Sequence, residues 1–326
     1  MQELIADARW VGPHGIGRFA KEVLKRIPHV ELDIKTSATS PFDPLNSSVA
    51  LWRKHNNTGY YFSPGYNPPM FCNQRYSFTL HDLIHLDVKE ETSYLKKKYY
   101  DNLILPAVKK ADRVFTVSNF SKEKILKWSN VRDDKVVVVG NGVDENFFDF
   151  HVPIALDMPY FLYIGNQKPH KNLKFLIEAF SKSVISKECY LAISGKLSEN
   201  LKKLSIELGI YKNIYEIGYI EETKLPCWYA GAQALIMPST YEGFGLPVIE
   251  AMASSALVLC SNSSCLPEIA GDHACYFSPY NSEELIEAFK FAFSNEANTL
   301  KKSGNLWARK FSWDNVATSI SSAIFK

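Results

Sequence analysis

Two glutamates separated by seven residues, Glu242 and Glu250, lie in the stretch of this chain best suited to binding a ligand. They follow an apolar, strand-like run at 234–238, and the loop that leads to the next helix contains two glycines. Glycines let backbone amides approach a ligand closely, and Pro247 suits a first helical turn, where unpaired N–H groups favour phosphates and hydroxyl-rich partners. The order of strand, glycine loop and helix therefore predicts a site for a phosphate, a sugar, or both.

A plainer interpretation of the two carboxylates is exposure to solvent. Glu242 would then be a surface charge on a loop, and Glu250 a solvated residue of the helix. Charged side chains are usually exposed, so this interpretation is favoured when the two glutamates are considered alone. The choice between a ligand site and exposed surface charges therefore depends on which residues from other parts of the chain lie beside the two glutamates.

Lys171 is a cationic candidate in the same half of the chain. It follows a strand-like run at 161–164 and a loop that starts at Gly165, and a helix begins directly after it at Asn172. A lysine in this position can hold a diphosphate as a mobile point charge beside a helix N-terminus. A lone lysine is more often simply exposed. Lys171, however, follows a second strand in the same half of the chain as Glu242, and this location favours a role in binding.

Three glycines follow the first strand-like run, at residues 4–6, and open a helix that extends to about Arg26. Gly12, Gly15 and Gly17 are spaced G-x-x-G-x-G, which differs from the G-x-G-x-x-G fingerprint of dinucleotide-binding proteins. Backbone amides at this turn could meet a diphosphate, although a glycine turn before a helix is most often structural.

His81 and His85 follow a strand-like run at 77–80 and are four residues apart. The spacing is superficially that of a zinc-binding helix, but a strand precedes it and Asp82 stands where such a motif has glutamate. A metal site is therefore disfavoured. One histidine facing a ligand cleft from a strand end is the better functional interpretation, and an ordinary core or loop histidine is the alternative.

Short β-rich runs alternate with helical segments in both halves of the chain, which favours two parallel α/β sheets. Ligands of such sheets bind beyond the carboxyl ends of the strands, where the candidate residues of both halves fall. We therefore predict an α/β protein with two Rossmann-like domains whose parallel sheets face each other across a cleft. A linker is expected at about 147–158, and 37–59, rich in Ser, Pro and Asn without a clear period, is predicted to be a loop.

Composition is that of a globular protein without a membrane span or a disulfide framework. The 326 residues are 46% hydrophobic and 22% charged, which suits two domains, and the formal charge of +2 gives no argument for nucleic acid. Six cysteines without a C-x-x-C pair predict reduced thiols rather than zinc or disulfides. The N-terminus has no basic region followed by an apolar run, so we expect no signal peptide and a cytoplasmic location.

Basic residues cluster on one predicted helix near 91–111, which contains Lys96 to Lys98 and Lys109 to Lys110 among aromatic and aliphatic residues. A solvated helix face is the commoner explanation. A basic, aromatic helix can also rest on anionic lipid, so peripheral contact with the inner face of the cytoplasmic membrane is the alternative.

With these stretches placed, the chain resembles the glycosyltransferases of family 4, retaining GT-B enzymes that include many bacterial mannosyl- and rhamnosyltransferases of surface polysaccharide assembly. The resemblance runs nearly end to end, and the E-x7-E element with Gly-Phe-Gly-Leu inside it is its most specific part. The segments that carry it are Gly15-Ile16-Gly17-Arg18, Leu80-His81-Asp82-Leu83, Thr116 to Ser121, Asn141-Gly142-Val143-Asp144, Gly165 to Asn172, Glu242 to Pro247 with Glu250, Pro267 to Asp272, and Phe311-Ser312-Trp313.

The resemblance implies a role for each matching residue, and it implies domains at 1–150 (acceptor side) and 151–310 (nucleotide sugar), with a terminal helix at 311–326 that crosses back to the first domain. Catalysis is assigned to Glu242, Lys171 and His81: Glu242 positions the sugar, Lys171 neutralises the diphosphate, and His81 hydrogen-bonds the transferred sugar. The implied donor-binding residues are Gly15, Ile16, Gly165, Lys171, Tyr219, Ile220, Glu242, Gly243, Phe244, Gly245, Leu246 and Glu250, with Glu250 on the ribose and Tyr219-Ile220 lining the base. Many relatives have arginine where this chain has His170, so a second cation either is His170 or Lys168, or is absent.

The implied reaction is retaining, metal-independent transfer of a hexose from a GDP-, UDP- or dTDP-sugar, with GDP-mannose as the best guess, to a glycan or lipid-linked oligosaccharide. No cofactor, metal or nucleic acid is expected, and O-antigen or exopolysaccharide assembly is the implied setting. Two alternatives stay open: a nucleotide-sugar epimerase of the same fold, which would convert the donor without an acceptor, and a non-catalytic subunit, which would bind the donor without turnover.

Overall fold

The computed structural model describes residues 3–34, 36–40, 42–53 and 59–325. These residues divide into two compact units, unit 1 within Met1–Gly142 and Ser312–Lys326, and unit 2 within Val143–Phe311. The division at 142 precedes both the predicted domain boundary at 150 and the predicted linker at 147–158. A short 3-10 helix at Glu145–Phe148 belongs to unit 2, where Phe147 is buried against the ring of Tyr229.

Unit 1 is built on a six-stranded, all-parallel sheet with the strand order β2-β1-β3-β4-β5-β6. Its inner strands are almost fully buried because helices cover both faces, as expected for a parallel sheet. The strands are β1 (Leu4–Ala6), β2 (Val30–Glu31), β3 (Tyr60–Ser63), β4 (Arg75–Thr79), β5 (Arg113–Thr116) and β6 (Val136–Val138).

Among the described residues of unit 1, several α-helices precede the domain boundary. They are α1 (Gly15–Arg26), α2 (Asp43–Arg53), α3 (Ile84–Asp87), α4 (Tyr94–Tyr99), α5 (Leu105–Lys110) and α6 (Asn119–Ser129). The single helix predicted near 91–111 is interrupted by a π-helical turn at Tyr100–Ile104. Pro106 follows this turn, and proline lacks the N–H that an uninterrupted α-helix would use at that position.

The prediction of a loop over 37–59 is wrong for its central part, because α2 occupies Asp43–Arg53. The buried residues of this helix are mostly polar, with Leu51 as the apolar contact to the core, so they leave no clear apolar period in the sequence. Asp43 accepts a hydrogen bond from Arg9 at 2.7 Å, and the Ser48 hydroxyl donates to the Pro44 carbonyl at 2.7 Å. Pro41 and 54–58, which the prediction also covered, lie outside the described residues.

Unit 2 contains a second six-stranded parallel sheet, with the order β12-β11-β10-β7-β8-β9. The strands are β7 (Tyr160–Tyr163), β8 (Tyr190–Ser194), β9 (Ile214–Gly218), β10 (Ala234–Met237), β11 (Val258–Ser261) and β12 (Cys275–Phe277). The helices are α7 (Leu173–Lys182), α8 (Glu199–Glu207), α9 (Leu225–Gly231), α10 (Leu246–Ala253), α11 (Leu266–Ala270), α12 (Ser282–Phe291) and α13 (Glu296–Ala308).

The direction of winding reverses between β7 and β10, which are neighbours although two strands separate them in sequence. From β7 the chain winds outward to β8 and β9, then returns to β10 and continues in the opposite direction. In α/β sheets, ligands bind outside the carboxyl ends of the strands at such a reversal. The sequence places Lys171 after β7 and Glu242 after β10, so this edge is where both should lie.

The last helix, α14 (Trp313–Ile324), belongs to unit 1 rather than to the unit that precedes it in sequence. It packs along α1, where Arg26 Nε donates to Asp314 Oδ1 at 2.6 Å. The ring of Phe19 meets the ring of Trp313 edge-on, with centroids 6.3 Å apart. The fold of unit 1 is therefore completed by a helix that is distant in sequence from its other elements.

Candidate active site

Lys171 and Glu242 form an ion pair at the switch point of the unit 2 sheet. Lys171 Nζ donates to both carboxylate oxygens of Glu242, at 2.7 and 3.0 Å. The side chains are 17% and 10% exposed, respectively, so the pair is largely shielded while one edge stays open to solvent. Glu242 is therefore not the free surface charge that the plainer interpretation assumed.

The turn that carries Lys171 is fixed by the residue that follows it. Asn172 adopts a left-handed conformation with φ of 59°, where asparagine is better tolerated than most residues. Its side-chain amide donates to the carbonyls of Pro238 and Pro279 at 3.2 and 2.9 Å. These carbonyls follow β10 and β12, so one amide ties the start of α7 to the ends of two strands.

The loop that carries Glu242 is held by a run of hydroxyl and thiol side chains that follows β11. Its key contact is a 2.9 Å hydrogen bond from the Glu242 N–H to Ser264 Oγ, and Ser264 adopts a left-handed φ of 54°. Three further side chains donate to loop carbonyls: Ser261 to Ser239, Ser263 to Thr240, and Cys265 to Glu242, at 2.5, 2.9 and 3.2 Å. Sequence reasoning missed this support, although the run Ser261 to Cys265 could have signalled it.

The helix after this loop, α10, starts from a glycine that no other residue could replace without strain. Gly245 has a φ of 92°, and a Cβ there would lie 2.8 Å from Leu266 Cδ2. Gly243 and Phe244 are buried, Leu246 opens the helix, and Pro247 follows within its first turn. The sequence prediction of a glycine loop leading into a helix is therefore confirmed.

Glu250 is only 3% exposed and lies on the buried face of α10. The Tyr229 hydroxyl of α9 donates to Glu250 Oε2 at 2.9 Å. The interpretation of Glu250 as a solvated helix residue is therefore wrong. Sequence reasoning did not single out Tyr229, because an aromatic residue in a helix usually signals only core packing.

The loop after β7 is ordered by hydrogen bonds to its own backbone. The Tyr163 hydroxyl donates to the Asn166 carbonyl at 2.5 Å, and the Gly165 N–H donates to Ser194 Oγ at 3.0 Å. Burial, together with the nearby negative charge of Glu242, raises the pKa of Tyr163 well above its usual value. This phenol therefore remains a hydrogen-bond donor over the physiological pH range.

The two candidates for a second cation differ in exposure. His170 is 5% exposed, and its carbonyl accepts the Thr240 N–H at 2.8 Å, so this residue joins the loops after β7 and β10. Lys168 is exposed at the start of the same turn. Of the two, Lys168 is the more accessible to an anion, because it is the exposed one.

The predicted base-lining residues follow β9. Tyr219 is 86% exposed and Ile220 is partly buried. Just before them, Gly195 and Gly218 exchange two backbone hydrogen bonds, at 2.7 and 3.3 Å, which join the ends of β8 and β9. The exposed Tyr219 ring therefore stands beside a fixed strand end.

In unit 1, the glycine turn after β1 caps α1 through a histidine. His14 Nδ1 accepts the Gly17 N–H at 2.9 Å. A Cβ on Gly17 would lie 2.3 Å from the Gly12 carbonyl oxygen, so the turn requires glycine there. Gly15 and Ile16 form the first turn of α1, where Gly15 is exposed and Ile16 packs towards Trp10.

His81 follows β4, and its Nε2–H donates to the Pro64 carbonyl at 3.0 Å. Its ring also meets Phe19 edge-on, with centroids 4.9 Å apart. Burial lowers the pKa of His81 to about 4, so the ring is neutral near pH 7 and Nδ1 is an acceptor. His81 is therefore suited to accept a hydrogen bond from a hydroxyl and unsuited to act as an acid at neutral pH. Within the described ranges, no three His, Cys, Asp or Glu side chains are grouped to hold a metal ion.

Two family models match the chain. One, described as "Glycosyl transferases group 1", matches residues 144–307, and one described as "Glycosyltransferase Family 4" matches residues 49–147. The first includes every unit 2 candidate residue, from Gly165 to Glu250. The second includes His81.

Two curated relatives are similar over most of this chain. The O-antigen chain mannosyltransferase B of Escherichia coli is 28% identical over 258 residues, which are 74% of this chain and 67% of the relative. The O-antigen chain mannosyltransferase RfbU of Salmonella typhimurium is 30% identical over 225 residues, which are 68% of this chain and 61% of the relative. This chain thus spans about two thirds of the length of these relatives.

A solved structure is similar over nearly the whole chain. Anabaena HepE, determined in complex with UDP-glucose, superposes with a TM-score of 0.77 at 14% identity, covering 99% of this chain and 98% of HepE. At this identity the similarity shows the fold, which is the two-domain, Rossmann-like GT-B fold expected from the sequence.

Proposed function

The chain belongs to the group 1 glycosyl transferases, and we propose that it transfers a hexose from a nucleoside diphosphate donor held at the switch point of unit 2. The Lys171–Glu242 ion pair carries this proposal. It places a cation and a hydrogen-bonding carboxylate together at the strand edge where α/β sheets bind ligands.

The chemistry of the proposed step is stabilisation of a leaving group. Cleavage of the bond between the anomeric carbon and the phosphate oxygen leaves a nucleoside diphosphate and an oxocarbenium-like sugar. Lys171 would neutralise the charge that develops on the diphosphate, together with backbone N–H groups at the start of α10. Lys168, exposed on the same turn as Lys171, is the proposed second cation.

Glu242 is proposed to position the sugar rather than to remove a proton. Its carboxylate is engaged with Lys171, and its loop is fixed by Ser264. A carboxylate held in this way can accept hydrogen bonds from sugar hydroxyls, and the leaving phosphate can take the proton of the acceptor on the same face. This retaining course differs from that of glycoside hydrolases, which use a pair of carboxyl groups.

Glu250 is proposed to bind the ribose. Tyr229 donates to one of its carboxylate oxygens, which fixes the side chain, and a carboxylate has several acceptor sites for hydroxyl groups. Tyr219, exposed beyond β9, is proposed to lie against the base. The roles of Gly15, Ile16 and His81 in unit 1 stay predictions of the family resemblance.

Mannose is the proposed hexose, with GDP-mannose as the first donor to test and UDP- and dTDP-hexoses as the alternatives. The names of the two relatives support mannosyl transfer in O-antigen synthesis, and the UDP-glucose of HepE supports a nucleotide sugar as the class of donor. The proposed acceptor is a glycan or a lipid-linked oligosaccharide at the cytoplasmic face of a membrane. No described helix is both long and apolar enough to cross a bilayer, so the proposed membrane contact is peripheral.

The test is a transfer assay with the purified chain and a panel of GDP-, UDP- and dTDP-hexoses, with donor cleavage and product formation measured by chromatography. We expect one donor class to be cleaved and Lys171→Ala and Glu242→Ala each to lower the rate by about 100-fold or more. Equal activity in EDTA and an α-linked product from an α-linked donor would support metal independence and retention.

Three outcomes would contradict the proposal. Full activity of either variant would remove the site assignment. Conversion of the donor to an epimer without acceptor would indicate an epimerase, and donor binding without turnover, unaffected by Glu242→Ala, would indicate a binding subunit. Lys174→Ala is the matched control, because Lys174 is an exposed lysine one turn further along the same segment.

A further inference from the structure

The loop that follows β7 lies between the loops that follow β8 and β10, because β7 is the neighbour of both strands. On the β10 side, the carbonyl of His170 anchors it by accepting the Thr240 N–H at 2.8 Å. On the β8 side, the Gly165 N–H donates to Ser194 Oγ at 3.0 Å. Lys168 lies between these two anchors, so its position depends on what holds the middle of the loop.

Gln167 bridges the loops after β7 and β8 with both ends of its side-chain amide. Its Nε2–H donates to the Lys196 carbonyl at 2.5 Å, and its Oε1 accepts the Ser198 N–H at 2.8 Å. The two partners fix the orientation of the amide, since a carbonyl only accepts and a backbone N–H only donates. Ser198 is the residue before α8, so the bridge joins the middle of one loop to the segment between β8 and a helix.

Hydrogen bonds matter in this loop because it has little apolar packing. Within 166–169, Asn166, Lys168 and Pro169 are exposed, and Gln167 itself is partly buried. A segment with few buried contacts opens locally at a low cost in free energy. The two hydrogen bonds of Gln167 are therefore expected to contribute much of what keeps the loop in one conformation.

The residue next to this bridge is Lys168, the proposed second cation. The Lys168 N–H donates to Asn166 Oδ1 at 3.2 Å, and the 3-10 turn Pro169–Lys171 begins directly after it. A lysine ammonium is a point charge on a flexible stem, so the protein controls its reach mainly through the backbone from which the stem extends. Gln167 holds that backbone from the adjoining position.

We propose that Gln167 is a positioning residue for the donor, because it holds the loop after β7 in the conformation from which Lys168 reaches the diphosphate. Without the bridge, only a fraction of the molecules would have this conformation, and the apparent affinity for the donor would fall by that fraction. Once the donor is bound, its contacts with the loop restore the conformation, so the transfer step itself changes little. The inference rests on the proposed function and adds to it a residue that does not touch the donor.

The experiment compares Gln167→Met with the wild type. Methionine keeps the length of the side chain and loses both hydrogen bonds. Titration calorimetry with GDP and UDP measures binding, and the transfer assay measures kcat and the KM values of donor and acceptor. We expect the donor KM to rise about tenfold and nucleoside diphosphate affinity to fall by the same factor, while kcat and the acceptor KM stay within about twofold.

Gln233→Met is the matched control. The Gln233 amide also donates to a backbone carbonyl at 2.5 Å, that of Ala292, and the residue is likewise partly buried. It lies directly before β10, at the amino edge of the same sheet, where the proposed donor does not bind. This variant should keep the wild-type KM values and kcat.

A double-mutant cycle distinguishes positioning from a general loss of structure. If Gln167 acts through Lys168, Gln167→Met should weaken nucleoside diphosphate binding about tenfold in the wild type but no more than about twofold in a Lys168→Ala background. A merely structural effect would weaken binding equally in both backgrounds. Circular dichroism and urea unfolding check that each variant is folded under the assay conditions.

The inference is overturned if Gln167→Met binds GDP and UDP as the wild type does, if its effect is equal in the two backgrounds, or if Gln233→Met raises the donor KM as much. Such a failure differs from failure of the proposed function. In the first case, Lys171→Ala still loses transfer while Gln167→Met does not affect the donor KM. In the second case, Lys171→Ala keeps full activity, and both proposals are overturned.

Discussion

The Lys171–Glu242 ion pair allows a test in which binding and transfer respond in opposite directions. We consider Glu242→Gln, Lys171→Met and the double variant. Without a donor, Glu242 already neutralises Lys171, so an incoming diphosphate has to compete with the carboxylate for the same ammonium. Removing the negative charge should therefore release the cation for the diphosphate and, at the same time, remove the acceptor proposed for the sugar hydroxyls.

The size of the effect follows from distance and burial. Two unit charges 2.7 Å apart attract by about 6 kcal/mol at an effective dielectric constant of about 20. Desolvation of two largely shielded groups offsets much of this, so a double-mutant cycle should give a coupling of about 1–3 kcal/mol in the free energy of unfolding. In Glu242→Gln the diphosphate no longer has to displace a carboxylate from Lys171. If this makes the free energy of binding more favourable by only about 1 kcal/mol, the affinity for a bare nucleoside diphosphate should rise about fivefold.

Isothermal titration with GDP and UDP measures binding, and the transfer assay measures activity. In Glu242→Gln we expect tighter nucleoside diphosphate binding together with a transfer rate lowered by about 100-fold, while Lys171→Met loses both. Lys290→Met/Glu287→Gln is the matched control cycle. That pair has the same 2.7 Å separation but is 50% and 68% exposed, so its coupling should stay within about 0.5 kcal/mol.

The reasoning would be refuted if Glu242→Gln weakened nucleoside diphosphate binding as much as Lys171→Met does. In that case, Glu242 would support Lys171 rather than compete for it. A coupling indistinguishable from that of the exposed control pair would likewise show that the ion pair has no particular strength.

Three further predictions concern the groups around this pair. Tyr229→Phe removes the hydrogen bond to Glu250 and should lower stability by about 1–3 kcal/mol in urea unfolding; it should also weaken binding of a nucleoside diphosphate while leaving that of inorganic pyrophosphate unchanged. Ser264→Ala removes the acceptor of the Glu242 N–H, so both stability and kcat should fall; Ser264→Gly relieves the left-handed φ of 54° at this position, so it should recover stability but not kcat. Because burial lowers the pKa of His81 to about 4, the unfolded state takes up more protons below pH 6.5, and about 2–3 kcal/mol of stability should be lost between pH 6.5 and pH 4; His81→Gln should reduce this loss.

Each of these predictions has a control or an opposing result. Tyr215→Phe, at a partly exposed tyrosine of β9, should change neither stability nor binding. Equal recovery of stability and kcat in Ser264→Gly would show that backbone strain, and not the hydrogen bond to Glu242, explains the alanine variant. An unfolding free energy that falls equally in wild type and His81→Gln between pH 6.5 and pH 4 would show that other groups cause the acid sensitivity.

Much of the fold was predictable because its signals are local. The alternation of β-rich runs and helices predicted parallel sheets in both halves, and the comparisons confirm the GT-B fold and the family. The strand before Glu242, the glycine loop and the helix from Leu246 were likewise visible from residue type and spacing. Helix α2 was missed because three of its five buried residues, Asp43, Ser47 and Ser48, are polar, and Pro44 and Leu51 alone do not form an apolar stripe.

The candidate site, like the fold, was predictable from the sequence only in part. Residue types and spacing indicated a phosphate or sugar site near Glu242 and a diphosphate contact at Lys171, but they left surface charges as the favoured interpretation of the glutamates. The sugar and ribose roles of Glu242 and Glu250 came only from the family resemblance. The surface-charge interpretation failed because of burial, and burial depends on neighbours that are distant in sequence. Tyr229 lies 21 residues before Glu250, and Ser264 lies 22 residues after Glu242.

The sequence by itself determined which loops could bind a ligand and which family the chain resembles, since both follow from short segments in a fixed order. Only the tertiary structure decided that Lys171 and Glu242, 71 residues apart, meet as an ion pair. It did so through the strand order, which makes β7 and β10 neighbours and brings the ends of both strands to one edge. Local pattern fixes where a strand begins and ends but not which strand lies beside it, because that choice depends on how the whole sheet buries its faces.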